Sequence, residues 1–120
     1  MAITMNHQMR VVLFLACSNF ALAISRSTIA FTADDAATIY QRCASCHGDR
    51  GHGDGPVSAY LQPTPADLTT SLKGKSDDWI AKVIKGGGAA VGASPTMPAN
   101  PDLSDAQVNG LVAYIRHFTP

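Results

Sequence analysis

An all-α fold of short helices joined by long irregular straps is predicted by three observations. Apolar residues recur at helical spacing in three separate stretches, no stretch alternates as a strand does, and glycine and proline crowd the intervals between them. In the first stretch Ala36, Ile39, Tyr40 and Cys43 share one helix face. Thr32 is placed to cap it, and Asp34 and Asp35 sit in the first turn, where the helix dipole favours anions. From Gly48 to Leu72 the chain reads as loop, punctuated by Gly48, Gly51, Gly53, Gly55, Pro56, Pro63 and Pro65, with one short helical turn expected over Val57 to Leu61. A second helix is expected from Asp77 to Lys85, capped by Ser76, with Ile80, Val83 and Ile84 inward and Gly86-Gly87-Gly88 as its stop. Pro95, Pro98 and Pro101 exclude a regular helix from Ala89 to Pro101. The last helix opens on a capping box, Ser104 to Gln107, and turns Val108, Leu111, Val112 and Ile115 inward, with Tyr114 and Phe118 widening the face. Straps this long need something to pack against, and a large apolar cofactor would serve.

The first 23 residues read as a secretory signal rather than as part of the domain. Arg10 precedes an apolar stretch over 11–23 that ends on Ala21-Leu22-Ala23, an A-x-A site, with later cleavage expected as far as 33. A membrane span needs roughly 20 apolar residues, and Ser18 and Asn19 interrupt this stretch; an uncleaved anchor is the alternative. Residues 24–33 are then a linker and 34–120 the domain, exported to the periplasm. Removal of 1–23 leaves 97 residues with eight Lys+Arg against nine Asp and no Glu. Such a balance offers no basic field for nucleic acid. A domain of this size buries only about 60–65% of its unfolded surface, so a covalent staple would help.

Cys17 leaves with the signal, and the two remaining cysteines lie in Cys43-Ala44-Ser45-Cys46-His47. Positions i, i+3 and i+4 at the end of a helix share a face. Both thiols can therefore add to the vinyl groups along one porphyrin edge while His47 faces the iron, and C-x-x-C-H is the signal for c-type haem attachment. Two other readings use the same residues. A thioredoxin-like dithiol expects a strand before the motif, where a helix is predicted here. A zinc site would join Cys43, Cys46, His47 and His52, but adjacent Cys46 and His47 are awkward tetrahedral partners. For the sixth position, Met1, Met5 and Met9 belong to the signal, which leaves Met97, 50 residues after His47, in the strap Ser94-Pro95-Thr96-Met97-Pro98. Ligation by His52 or His117, and a vacant position, stay open beside it.

The Cys43–His47 motif, the run Gly48-Asp49-Arg50-Gly51-His52-Gly53-Asp54-Gly55-Pro56, the Trp79 helix, Thr96-Met97-Pro98-Ala99 and Leu111-Val112-Ala113-Tyr114-Ile115 together resemble the class I c-type cytochromes over roughly 34–118. The likeness is to small bacterial monohaem domains. It implies a cytochrome c-like fold of three to four short helices, first and last crossing, around one haem c held by Cys43 and Cys46. Iron ligands would be His47 and Met97. It further implies that the Pro56 carbonyl accepts the second N–H of His47, with Pro63 and Pro65 as neighbouring alternatives. Trp79 would either donate to a haem propionate or fill the core. The function implied is one-electron carriage between redox protein partners by a non-enzymatic, monomeric carrier. Membrane contact is expected only through partner complexes or an uncleaved signal. A subunit of a larger redox complex, and a haem sensor or peroxidase-like protein with an open sixth position, are the alternatives. Lys73, Lys75, Lys82 and Lys85 are read as a solvated face or a partner-steering one.

Overall fold

The computed structural model describes residues 31–119; the signal expected over 1–23 and most of the linker expected over 24–33 lie outside the described residues. Four α-helices follow one another: α1 (Ala33–His47), α2 (Leu68–Ser71), α3 (Asp77–Gly86) and α4 (Asp105–Arg116). Two 3-10 turns, Ser58–Tyr60 and Gly88–Val91, lie on the straps, and no strand occurs among the described residues. No helix among them is long and apolar enough to cross a membrane.

Local chemistry starts each helix. Thr32 Oγ1 accepts from Asp35 N at 3.2 Å while Thr32 N donates to the Asp35 carboxylate at 2.8 Å, a reciprocal capping box on α1. Ser76 Oγ accepts from Trp79 N at 3.2 Å to open α3. Ser104 and Gln107 repeat the box on α4, at 3.3 and 2.8 Å. The short α2 was expected to be loop. Asp67 starts it by accepting from both the N–H and the hydroxyl of Thr69, at 2.8 and 2.6 Å. The Gly88–Val91 turn likewise lies in a stretch where only irregular chain was expected.

The Thr32 N–H, before the Thr32 hydroxyl, holds the Asp35 carboxyl below its ordinary value of 3.8. A depressed folded pKa means that this contribution is complete above the unfolded value and disappears as pH falls through the folded one. The urea midpoint is therefore expected to hold from about pH 7 to 5 and to drop below about pH 4, with a smaller drop in Asp35→Asn. Parallel pH curves for the two proteins would exclude this contribution.

α1 and α4 form the main helix pair, and α3 packs on α4. Gly110 on α4 makes room for Phe31, just before α1: a Cβ there would collide with the edge of the Phe31 ring, whose Cζ would lie 3.3 Å away. Tyr40, Tyr114 and Phe118 cluster beside the crossing, with ring centroids 5.2 to 5.4 Å apart; Phe118 meets both tyrosines edge to face, and the two tyrosines are tilted by 48°. The buried face of α1 is Ala36, Tyr40 and Ala44, with Ile39 and Cys43 only partly covered beside it. From α3 come Ile80, Val83 and Ile84, and from α4 Val108, Leu111, Val112 and Ile115, as their spacing predicts. Tyr40, Ile80 and Leu111 are the most completely enclosed of these side chains. Each such residue contributes about 1.5–3 kcal/mol by leaving water.

Candidate haem site

The carbonyls at the end of α1 need partners, and the glycine-rich loop supplies them. Gly48 N donates to Ala44 O at 2.9 Å, Gly53 N to His47 O at 2.8 Å, Gly55 N to Cys46 O at 3.1 Å and Val57 N to Ser45 O at 3.1 Å. Gly55 lies so close to the helix end that a Cβ would stand 2.5 Å from Ala44 O and collide with Ser45 O. Tyr40 closes this region from inside by donating its hydroxyl to Gly48 O at 2.8 Å. Burial pushes the Tyr40 phenol well above its ordinary value, so it stays protonated as that donor.

The loop path also decides what His47 meets. Gly53, at φ +76°, packs on the Pro65-Ala66 backbone, 2.5 Å from Pro65 O to its would-be Cβ, and brings that segment alongside α1. His47 Nδ1 lies 2.9 Å from Ala66 O. A carbonyl only accepts, so Nδ1 carries the proton and Nε2 keeps its lone pair for a metal. The expectation for Pro56 is therefore corrected. Pro56 is exposed on the loop docked against the helix end, and the carbonyl of Ala66, directly after Pro65, takes the role.

Cys43, Cys46 and His47 open on a cleft of about 550 Å³, and Met97 lines the same cleft. Its walls are mainly apolar: Leu68 and Leu72 from around α2, Ile80, Val83 and Ile84 from α3, Leu111 and Ile115 from α4. Thus one side of the hydrophobic core is the cleft wall. Cys43 is half-buried, and burial pushes its thiol upward, with Arg42 opposing that shift. His52 and His117 do not line the cleft. His52 Nδ1 sits 3.8 Å from the Asp67 carboxylate, and His117 Nδ1 lies 2.8 Å from Ala113 O at the end of α4. Among the described residues no three His, Cys, Asp or Glu side chains gather as a metal-binding cluster.

Met97 is held there by a close approach of backbone to backbone. Gly87, at φ +77°, caps α3, and Gly88 N donates to Met97 O at 3.1 Å. A Cβ on Gly88 would collide with Ser94 O and stand 2.9 Å from Ser94 C and 3.3 Å from Met97 Cβ. Met97 N donates back to Ser94 O at 3.3 Å, and Asn100 Nδ2 to Ile84 O at 2.9 Å. The triple glycine is therefore more than a helix stop: it is the seat of the Met97 strap.

A model of the cytochrome c family matches residues 33–119. The chain belongs to the cytochrome c family. No curated protein and no solved structure matches it. Membership implies haem c and haem-based electron transfer, and the cleft of this cytochrome suits that group. Its volume falls in the range of cofactor pockets, roughly 300–1,000 Å³. Its lining is apolar, apart from a few polar and cationic groups suited to the anionic edge of a haem. Arg42 and Lys75 line it and no carboxylate does, among the described residues. Trp79 also lines the cleft, with Lys75 Nζ 4.6 Å from its ring centroid. Of the four lysines read as one face, Lys75 alone lines this cleft; Lys85 bonds Leu103 O and lies 3.6 Å from Asp105. Arg42, Ala66 and Asn100 went unread as site residues, because their places depend on how distant straps meet.

Proposed function

We propose that this cytochrome carries one electron at a time on a single haem c with His47 and Met97 as axial ligands. The observation that supports this reading is the convergence of Cys43, Cys46, His47 and Met97 on one cleft. Cys43 and Cys46 would each add S–H across a vinyl group, the sulfur bonding one carbon and the proton ending on the other. When bound, the haem supplies an iron that cycles between ferric and ferrous states. His47 is oriented by Ala66 O so that Nε2 is free to hold the iron, and Met97 would supply a soft thioether, which would favour the ferrous state and raise the potential. With both positions filled no site is left for substrate, which suits carriage rather than catalysis. The apolar walls exclude water around the centre. The signal-like segment 1–23 supports export to the periplasm, and a monomeric carrier between a donor and an acceptor protein fits a domain of this size.

An optical spectrum of haem-matured protein tests the ligand set. The parent should show the ferric sulfur-to-iron charge-transfer band, and Met97→Ala should lose it and bind carbon monoxide when reduced. A parent without the band, or one that itself binds carbon monoxide when native, would sink the His/Met reading in favour of an open sixth position. A second reading, a subunit held inside a larger redox assembly, is favoured by the turn next to the cleft. Tyr60 is 85% exposed and Val57 40%, beside the cleft-lining Leu61. Isolation as a monodisperse monomer without partners separates the two.

A further inference from the structure

The strap bearing Met97 is fastened twice. Towards α3 the fastening is made to its backbone: Gly88 N to Met97 O, Asn100 N to Lys85 O at 3.1 Å and Asn100 Nδ2 to Ile84 O. Towards α1 it is a side chain. Arg42, the residue before Cys43, sends Nη1 to one Asp102 oxygen at 2.8 Å and Nη2 to the other at 3.3 Å; Nη2 also lies 3.4 Å from Asn100 Oδ1. A forked guanidinium–carboxylate pair fixes direction as well as distance. Arg42 and Asn100 both line the cleft, so the link runs along the cleft from the helix that carries the cysteines to the strap just beyond Met97.

We propose that Arg42, Asp102 and Asn100 form a latch that holds the Met97 strap against α1 and so sets how often the Met97 position opens. These are positioning residues, acting through the strap, and the proposal rests on the reading of Met97 as the iron ligand. The Arg42 and Asp102 side chains are 50% and 61% exposed. Such a pair is weak and is screened by salt. That suits a fastening that opens while the rest of the fold stays closed. Arg42, through its hydrogen bond, holds the Asp102 carboxyl below its ordinary value, and the same bond raises Arg42. The latch is therefore charged at neutral pH.

The test uses ferric, haem-loaded protein as parent, Arg42→Gln, Asp102→Asn and the double variant. Two rates are read: displacement of the sixth ligand by imidazole, and amide hydrogen exchange at Asn100. Each single variant should speed both by roughly two- to fivefold, with no further gain in the double, and the difference should shrink in molar salt. Arg42→Lys should recover little, since an ammonium cannot make the fork. Unchanged rates, or a lowered thermal midpoint with unchanged rates, would overturn the latch, because a merely structural pair moves only the midpoint. If the parent lacks the sulfur-to-iron band, the Met97 ligand reading fails separately. The Asn100 exchange rate then decides the latch alone, faster in the variants if it exists and unchanged if it does not.

Discussion

Gly88→Ala is expected to abolish the ferric sulfur-to-iron band while haem stays covalently attached through Cys43 and Cys46. The new methyl group has nowhere to go. It would collide with the Ser94 carbonyl oxygen and crowd Ser94 C and Met97 Cβ, at 2.9 and 3.3 Å, and two of these are backbone atoms that no rotamer change can move. Relief requires the strap to leave α3, which breaks the bonds from Gly88 N to Met97 O and from Ala93 N to Gly88 O, at 3.1 and 2.9 Å. A displacement of even about 1 Å is enough to take a side chain out of a productive geometry. Cys43 and Cys46 belong to α1 and do not depend on this contact. Gly74→Ala is the control. Gly74 has φ +74°, nothing within 4 Å of a would-be Cβ and no place in the cleft lining, so its substitution brings backbone strain without collision. That variant should lose about 1–2 kcal/mol of stability and keep the band. Equal loss of the band in both would show that general destabilisation removes it, and that the close approach does not.

Gly87 and Gly88 also mark the boundary of what was legible beforehand. Helices α1, α3 and α4 announce themselves because their signals are local: Thr32, Ser76 and Ser104 as caps, and apolar residues returning every three to four positions. The site motif is local too, since Cys43, Cys46 and His47 need only one helical turn to share a face. Met97 could be singled out because it is the sole methionine after Met9. Gly87 is readable as a helix stop from α3 alone, but the reason for Gly88 is a strap several residues further on. The partner of His47 shows the same limit. The family resemblance points to Pro56, yet the carbonyl that arrives belongs to Ala66, because Gly53 and Gly55 press the intervening loop onto the end of α1. α2 is a single turn, too short for periodicity; its one signal is Asp67 two residues before Thr69. Arg42 and Arg116 carry no local signal at all. Arg116 binds Asp77 Oδ1 at 2.9 Å and Leu72 O at 3.3 Å, and so joins α4 to the turn before α3.

Leu111→Ala should produce the largest loss of stability, about 2–5 kcal/mol, against a total of roughly 5–15 kcal/mol for a domain of this kind. Leu111 is 2% exposed, sits on the α4 face that meets α1 and α3, and also lines the cleft. Truncation therefore removes a core side chain and a piece of cofactor wall together. The cost has two parts, the transfer of the lost carbons and the cavity left behind, and the cavity part grows with how little the neighbours can move. Ile80 and Tyr40, at 2% and 1% exposure, are themselves locked, the latter by its hydroxyl on Gly48 O and by the Tyr114 and Phe118 rings. Collapse into the space is thus disfavoured, which puts the expected loss towards the upper half of the range. For a domain near 100 residues this is a fall in thermal midpoint of roughly 10–25 °C, measured on the haem-loaded protein by far-ultraviolet circular dichroism. Leu111→Met keeps the volume and should cost less than about 1.5 kcal/mol. Ala113→Ser, on the exposed side of the same helix, should stay within about 0.5 kcal/mol. A Leu111→Ala midpoint as close to the parent as that of Ala113→Ser would mean that α4 is not seated on the core and cleft wall as described.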